Sequence, residues 1–426
     1  MKQVITRAKS FSGKPKIPGD KSISHRGLIL GALASGTTEV IDILESEDVQ
    51  STARCLKELG VIITKKENHT FIDGIGDRGF KKPDHDLDCG NSGTTMRVMM
   101  GVLAGRDITA TLTGDHSLVK RPMKRVSEPL RLMGANFTLT NENFAPLMVK
   151  GGKIHAIDYE LKIASAQIKT AIIMGALTAE GTTRLTGEIG SRDHTERLLP
   201  HFGGEIKVSD TELLIKGGQK LIANKLNIPS DPSTAAFWIG AASIIPNATL
   251  EMENISLNPT RIGLMEALQR MGASITSEIT TATPEPVGKI FVKTAPLKGI
   301  NIPKSEVPSL IDELPLLAVL ATQAHGVTEV RGAEELRVKE SDRIEAVATN
   351  IRAMGCEIEV FHDGFKIVGP QKLKGAEIQS YHDHRIAMAF SIAGLVADGE
   401  TTIHDAECVS ISYPNFYETL KGLTNT

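Results

Sequence analysis

From its N-terminus the chain keeps repeating one order of apolar and polar stretches. Residues 17–27 (IPGDKSISHRG) form a polar opening, and the apolar run 28–34 follows directly. A small-residue break at Ser35-Gly36 then precedes a strand over 37–43. Across 48–59, Val49, Ala53, Leu56 and Leu59 fall close to helical spacing, which predicts a second, amphipathic helix. Gly60 suits the left-handed position just past a helix end, and residues 61–65 (VIITK) alternate as a strand.

The same order returns five times. Openings at 91–94 (NSGT), 165–167 (SAQ), 229–231 (PSD), 311–313 (IDE) and 383–385 (DHR) each lead into an apolar helix-like run. Strands are predicted after them at 108–113, 182–186, 248–252, 327–330 and 401–404. Second helices follow, ending at Gly134, Gly203, Gly272, Gly355 and Gly422, and ANFTLT, GEIKV, ASITS and CEIEV supply the later alternating strands. Six copies in register predict a helix–strand–helix–strand unit of about 70 residues, long enough for each copy to build a small sheet.

Two similar segments, 17–20 (IPGD) and 228–231 (IPSD), each begin a repeat, with three repeats between them and three after the second. They predict an α/β (α+β) protein of two domains. One is continuous over 19–229; the other joins 1–18 to 230–426, with a hinge near 17–20 and 228–231. The N-terminal strand at 2–8 has no repeat of its own and is expected to complete a sheet of the second domain.

Composition narrows the class. With 426 residues, 41% hydrophobic and 23% charged, the chain is too long for one ordinary core and too apolar for disorder. Aromatics reach only 4%, so small aliphatic side chains must build the interior, and Trp238, Tyr381 and the methionines are expected in it. A net charge of −3 argues against a nucleic-acid or membrane surface binder, so any anion site must come from local clustering. The four cysteines stand far apart without metal-site spacing, which fits reduced thiols in the cytoplasm, and no metal set is visible.

Cations do cluster at the helix openings. Lys21, Ser22 and Arg26 stand at the first, Asn91 to Thr94 with Arg97 at the next, and Ser165 and Gln167 at the third. Asp312, Glu313, Asp383, His384 and Arg385 follow in the second half. Second-helix openings add Lys120-Arg121 before Pro122 (placed for the first helical position), then Arg192, then Lys339, Glu340 and Arg343. Helix N-termini carry free N–H groups and partial positive charge, and arginine adds a two-pronged donor, so several anionic groups are expected in a cleft between the domains. Gly93 would let a ligand approach the backbone closely. Asp312 and Glu340 are the carboxylates placed to move protons. Plainer readings stand beside these: Glu340 and Arg343 as a helix-surface pair, Asp312-Glu313, Ser165 and Gln167 as caps, and His384 as a packed histidine.

The motifs PGDKSISHR (18–26), GNSGTTMR (90–97), LTGDHSLVKRPM (112–123), SAQIKTA (165–171), LRVKESDR (336–343) and DHRIAMAF (383–390) resemble, in order, those of the 5-enolpyruvylshikimate-3-phosphate synthase family. The resemblance implies two domains of three βαβαββ units each, a six-fold inside-out α/β barrel arrangement. It also implies transfer of the enolpyruvyl group of phosphoenolpyruvate to the 5-hydroxyl of shikimate-3-phosphate, without a cofactor. Lys21, Ser22, Arg26, Ser165, Ala166, Gln167, Arg192, Asp312 and Lys339 would hold shikimate-3-phosphate. Lys21, Gly93, Arg121, Gln167, Glu340, Arg343, His384 and Arg385 would hold or act on phosphoenolpyruvate. Asp312 would deprotonate the attacking hydroxyl, and Glu340, with Lys21 nearby, would protonate the methylene carbon.

The chain departs from the better-known branch of that family at three places. Ala166 removes one hydroxyl, SRDHTE (191–196) offers Arg192 where that branch has a tyrosine, and Ile411 stands where a late lysine is usual. The UDP-N-acetylglucosamine enolpyruvyl transferases fit less well: they have Lys-Asn where this chain has Lys21-Ser22, and a reactive cysteine absent from 115–121. A non-catalytic repeat scaffold would carry equivalent polar residues in every copy, and here they diverge. Small-molecule partners, no nucleic acid, no membrane and a monomer are expected.

Overall fold

The computed structural model describes residues 1–425. The chain divides into two compact units. One comprises Met1–Pro18, Pro229–Ala282 and residues 286 onward; the other comprises Gly19–Ile228 and Thr283–Glu285. Each has its own apolar core.

The unit of Gly19–Ile228 holds three four-stranded sheets with one order. In the second repeat, Leu87–Asp88 runs parallel to Thr109–Thr113, which pairs antiparallel with Phe144–Lys150, which pairs in turn with Asn136–Thr140. The helices Gly93–Ala104 and Lys124–Leu132 fill the connections and complete a βαβαββ unit. The third repeat follows suit with Asp158–Leu161, Thr182–Gly187, Leu213–Lys216 and Ile206–Val208. The first repeat takes its parallel strand from Lys225–Asn227, at the far end of the unit, so the end of the segment is sewn back onto its beginning.

The other unit uses its N-terminal segment in the same way. Ser10–Gly13 lies parallel to Thr249–Ser256, and Gln3–Ile5 lies antiparallel to Thr401–His404. Its middle sheet keeps the common order, Asn301–Ile302, Gly326–Val330, Gly364–Gly369 and Glu359–Phe361.

Local chemistry explains why the elements begin and end where they do. Asp20, Ser92, Ser165, Asp231 and Asp383 cap the helices Lys21–Leu33, Gly93–Ala104, Ala166–Ala176, Pro232–Ile244 and His384–Gly394, each side chain accepting a first-turn N–H. These helices are buried almost all round, which is why they appear in the sequence as apolar runs without a polar face. Gly60, Gly134, Gly203, Gly272 and Gly355 all adopt positive φ at the ends of second helices. Gly19 is required where the chain leaves the first unit: a Cβ there would stand 2.2 Å from the Asp42 carbonyl oxygen.

Three local expectations need correction. Pro122 does not start a helix: Arg121 is extended and the helix begins at Lys124. Asp312 and Glu313 form a 3-10 turn, Ile311–Glu313, wedged between the short helix Val307–Leu310 and Leu314–Ala321, rather than a simple cap. Tyr381 is exposed at positive φ, whereas Trp238 lies fully buried against Phe416 and Tyr413. Among the described residues, no helix is long and apolar enough to cross a membrane.

Candidate active site

In the unit of Gly19–Ile228, three helix openings assemble one polar cluster. Asp20 accepts from the Ile23 N–H at 2.8 Å and so starts the first helix at Lys21. Lys21 extends to Asp48, in the first turn of the helix Glu47–Glu58, with Nζ 3.0 Å from Oδ2. Arg26, one turn further on, is buried: Nε donates to Thr195 Oγ1 at 2.7 Å, Nη2 to Thr170 Oγ1 at 2.7 Å and Nη1 to the Ser22 carbonyl at 2.9 Å. Burial draws its pKa down to about 10; Glu196 and Asp20 oppose that shift, and the neighbouring charge of Arg192 adds to it.

The second opening carries Gly93, the first residue of its helix, directly beside two guanidinium groups. A Cβ at Gly93 would lie 3.1 Å from Arg97 Nη1 and 3.5 Å from Arg121 Nη1. Arg97 donates to Gln167 Oε1 at 2.5 Å, and Gln167 Nε2 donates to Thr94 Oγ1 at 3.0 Å, which links the second opening to the third. Arg121 Nη2 donates to Asn91 Oδ1 at 2.8 Å, and Asn91 Nδ2 donates to Asp115 Oδ2 at 2.6 Å. Ser165 caps the third helix, and Ala166, its first residue, is half-buried.

The sequence reasoning assigned no role to His25, Thr52 or Thr95, yet they connect these openings. His25 Nδ1 lies 2.7 Å from Thr52 Oγ1, which lies 2.7 Å from Thr95 Oγ1, which donates to the capping Ser92 Oγ at 2.8 Å. Burial pushes the His25 pKa well below the usual histidine value, and Lys21 and Arg26 push it the same way, so the ring is neutral. The histidine inside the 18–26 motif was the available signal.

In the other unit, Arg343 gathers the carboxylates. Its side chain is 1% exposed, and it donates from Nε to Asp383 Oδ2 at 2.8 Å, from Nη1 to Asp312 Oδ1 at 3.1 Å and from Nη2 to Glu340 Oε2 at 2.7 Å. Burial pulls its pKa down, but Asp383, Glu340 and Asp312 together push it above the ordinary arginine value. Arg385 adds a second guanidinium, with Nη2 3.5 Å from Asp312 Oδ2 and Nη1 3.4 Å from Glu313 Oε1. Glu340 precedes the helix Arg343–Ala353 and Arg343 is buried, so the two are not an exposed helix pair. Lys339 is half-buried just after the 3-10 turn Glu334–Val338, and His384 is buried at the start of its helix. Ile411 is partly buried against the apolar core. Among the described residues, no group of three or more His, Cys, Asp or Glu is placed to hold a metal ion.

The unit of Gly19–Ile228 thus gathers the cations Lys21, Arg26, Arg97 and Arg121 near its helix openings, a set chemically suited to anions. The other presents two carboxylates, Asp312 and Glu340, on one guanidinium, an arrangement suited to proton transfer beside negative charge.

The fold is that of the enolpyruvyl transferases. The enolpyruvyl transferase NikO from Streptomyces tendae superposes with a TM-score of 0.78 over 99% of this chain and 96% of its own, at 17% identity, a likeness of fold alone. An EPSP synthase from Acinetobacter baumannii superposes with a TM-score of 0.89 at 42% identity, covering 100% of this chain and 98% of that one. The family model for EPSP synthase (3-phosphoshikimate 1-carboxyvinyltransferase) matches residues 5–420. The 3-phosphoshikimate 1-carboxyvinyltransferase of Alkaliphilus oremlandii (strain OhILAs) is 46% identical over 423 residues, covering 99% of both chains. That of Carboxydothermus hydrogenoformans (strain ATCC BAA-161 / DSM 6008 / Z-2901) is 46% identical over 426 residues, covering 100% of this chain and 99% of its own. The chain belongs to the EPSP synthase family, and with it to the carboxyvinyl-transferring enzymes.

Proposed function

We propose that the chain transfers the enolpyruvyl group of phosphoenolpyruvate to the 5-hydroxyl of shikimate-3-phosphate, releasing phosphate, with the residues below in the stated roles. The observation that carries the assignment of roles is the attachment of Asp312 and Glu340 to the single buried guanidinium of Arg343. Asp312 takes the proton of the 5-hydroxyl as its oxygen attacks C2 of phosphoenolpyruvate. Glu340 gives a proton to C3, which completes a tetrahedral intermediate. Return of a C3 proton to Glu340 and cleavage of the bond between C2 and the phosphate oxygen, with the proton held on Asp312 passing to the leaving phosphate, then give the enol ether and free phosphate.

Arg26 and Arg192, with Ser22, Ser165, Ala166, Gln167, Asp312 and Lys339, hold shikimate-3-phosphate. Arg121, Gly93, Lys21, Gln167, His384 and Arg385 hold phosphoenolpyruvate. Arg343 and Glu340 belong to the phosphoenolpyruvate set as well, and the ion pairs of Arg343 with Asp312, Glu340 and Asp383 support a further part for it, holding the two proton-transferring carboxylates in place. A cytoplasmic monomer belongs to the same proposal; four buried free thiols support the reducing compartment.

The test is phosphate release from phosphoenolpyruvate with shikimate-3-phosphate or UDP-N-acetylglucosamine as acceptor. Turnover is expected with the first only. Turnover with the UDP-sugar only, or with neither, overturns the proposal.

A further inference from the structure

Lys169 is almost completely sealed from solvent, its side chain 1% exposed, yet it bears a charge that no substrate could touch. It lies in the third helix, Ala166–Ala176, two residues after Gln167. An ammonium has three N–H donors, and here each has an acceptor: the Ile189 carbonyl at 2.9 Å, the Ser191 carbonyl at 3.0 Å and Glu196 Oε1 at 2.6 Å. Residues 189–191 form a tight turn in which the Ser191 N–H donates to the same Ile189 carbonyl at 2.8 Å. This turn joins the strand Thr182–Gly187 to the helix His194–His201, and Arg192 follows it immediately.

A second tie runs alongside. Thr170, next to Lys169, lies 2.8 Å from Thr195 Oγ1, and both hydroxyls accept from Arg26. Helix Ala166–Ala176 thus grips the 189–196 segment from adjacent residues, through Lys169 on Ile189, Ser191 and Glu196, and through Thr170 on Thr195.

A buried ion pair is a poor way to stabilise a fold, since an apolar pair of similar volume usually does as well. What an apolar pair cannot do is hold two backbone carbonyls. We infer that Lys169 is a positioning residue: its ammonium fixes the backbone of 189–191 and so sets where Arg192 presents its guanidinium to the phosphate of shikimate-3-phosphate. The inference rests on the proposed role of Arg192.

The test compares Lys169→Met with the double variant Lys169→Met/Glu196→Leu, which leaves no lone buried carboxylate if the single variant fails to fold. Both should raise KM for shikimate-3-phosphate by about 10- to 100-fold, since a misplacement of about 1 Å at a positioning group costs up to about 100-fold. Both kcat and KM for phosphoenolpyruvate should stay near parental values. Amide hydrogen exchange over 188–193 should speed up in both, whether or not substrate is present. A folded double variant with parental KM and parental exchange overturns the inference. Arg192→Ala separates the premise: if its KM for shikimate-3-phosphate is unchanged, the phosphate role fails. Faster exchange in the Lys169 variants would still support the hold on the turn.

Discussion

Arg343 and Asp383 meet edge to edge, Nε to Oδ2 at 2.8 Å and Nη2 to Oδ1 at 3.3 Å, with both side chains sealed from solvent. Asp383 also caps its own helix by accepting from the Arg385 N–H at 2.9 Å. The guanidinium that carries Asp312 and Glu340 is therefore anchored to a helix end. Asp383→Asn keeps the cap but removes the charge, and breaking a buried pair on one side costs roughly 3–5 kcal/mol. Denaturant unfolding should show that loss of stability, and turnover should fall with it. A cost below about 1 kcal/mol, the scale of an exposed pair, would mean that the other two carboxylates suffice.

Asp312→Asn separates binding from chemistry. The amide preserves shape and can still meet the substrate hydroxyl, so shikimate-3-phosphate should bind with nearly parental affinity by calorimetry. Turnover should drop by about 10²- to 10⁴-fold, the usual share of a general base. Parental turnover would remove Asp312 from proton transfer.

Arg121→Lys tests the two-pronged donor. Lysine retains the charge but cannot reproduce the fork that Asn91 and Ser117 hold beside Gly93. A loss of kcat/KM for phosphoenolpyruvate of about 10-fold or more is expected, since charge-assisted fork contacts carry more than a point charge. Asn91→Ala should act in the same direction, and the double variant should lose less than the sum of the two.

His25 should make stability depend on acidity. Its pKa is lowered on folding, through burial first and then Lys21 and Arg26. Below the ordinary histidine value the unfolded chain takes up a proton that the folded chain refuses. Stability is thus complete above about pH 6.5 and falls as the pH drops below it, by up to about 1.4 kcal/mol per pH unit for one proton. Urea midpoints of the parent and His25→Gln between pH 7.5 and 5.5 measure it; the parent should lose more stability across that window. Parallel slopes would show that folding does not lower the His25 pKa.

Signals confined to a few neighbouring residues were legible in the sequence. Asp20, Ser92, Ser165 and Asp383 announce helix starts through side chains that reach only two or three residues along, and the glycines after the second helices announce their ends through φ. Lys21 in one unit, and Arg343 and Arg385 in the other, stand at such starts and were legible for the same reason. Partners far apart in the sequence were not. Nothing near Lys169 points to Glu196, and nothing near Thr283–Glu285 announces that this segment leaves its neighbours for the other unit, where Glu285 Oε1 lies 2.7 Å from His194 Nδ1. The 3-10 turn at Asp312 escaped notice because Pro308 and Pro315 flank it, and the apolar run after it masks where the helix begins.

The strand exchanges impose an order on synthesis. All that the segment Gly19–Ile228 needs for its three sheets lies within it, so that unit can close its sheets once Lys225–Asn227 has left the ribosome. Gln3–Ile5 and Ser10–Gly13, made before that unit, must wait as open edges until Thr401–His404 and Thr249–Ser256 arrive. Segments made before that unit thus find their places after it. A nascent chain stalled once residue 228 has left the ribosome would carry three closed sheets, still without Thr283–Glu285, and an unpaired N-terminal arm.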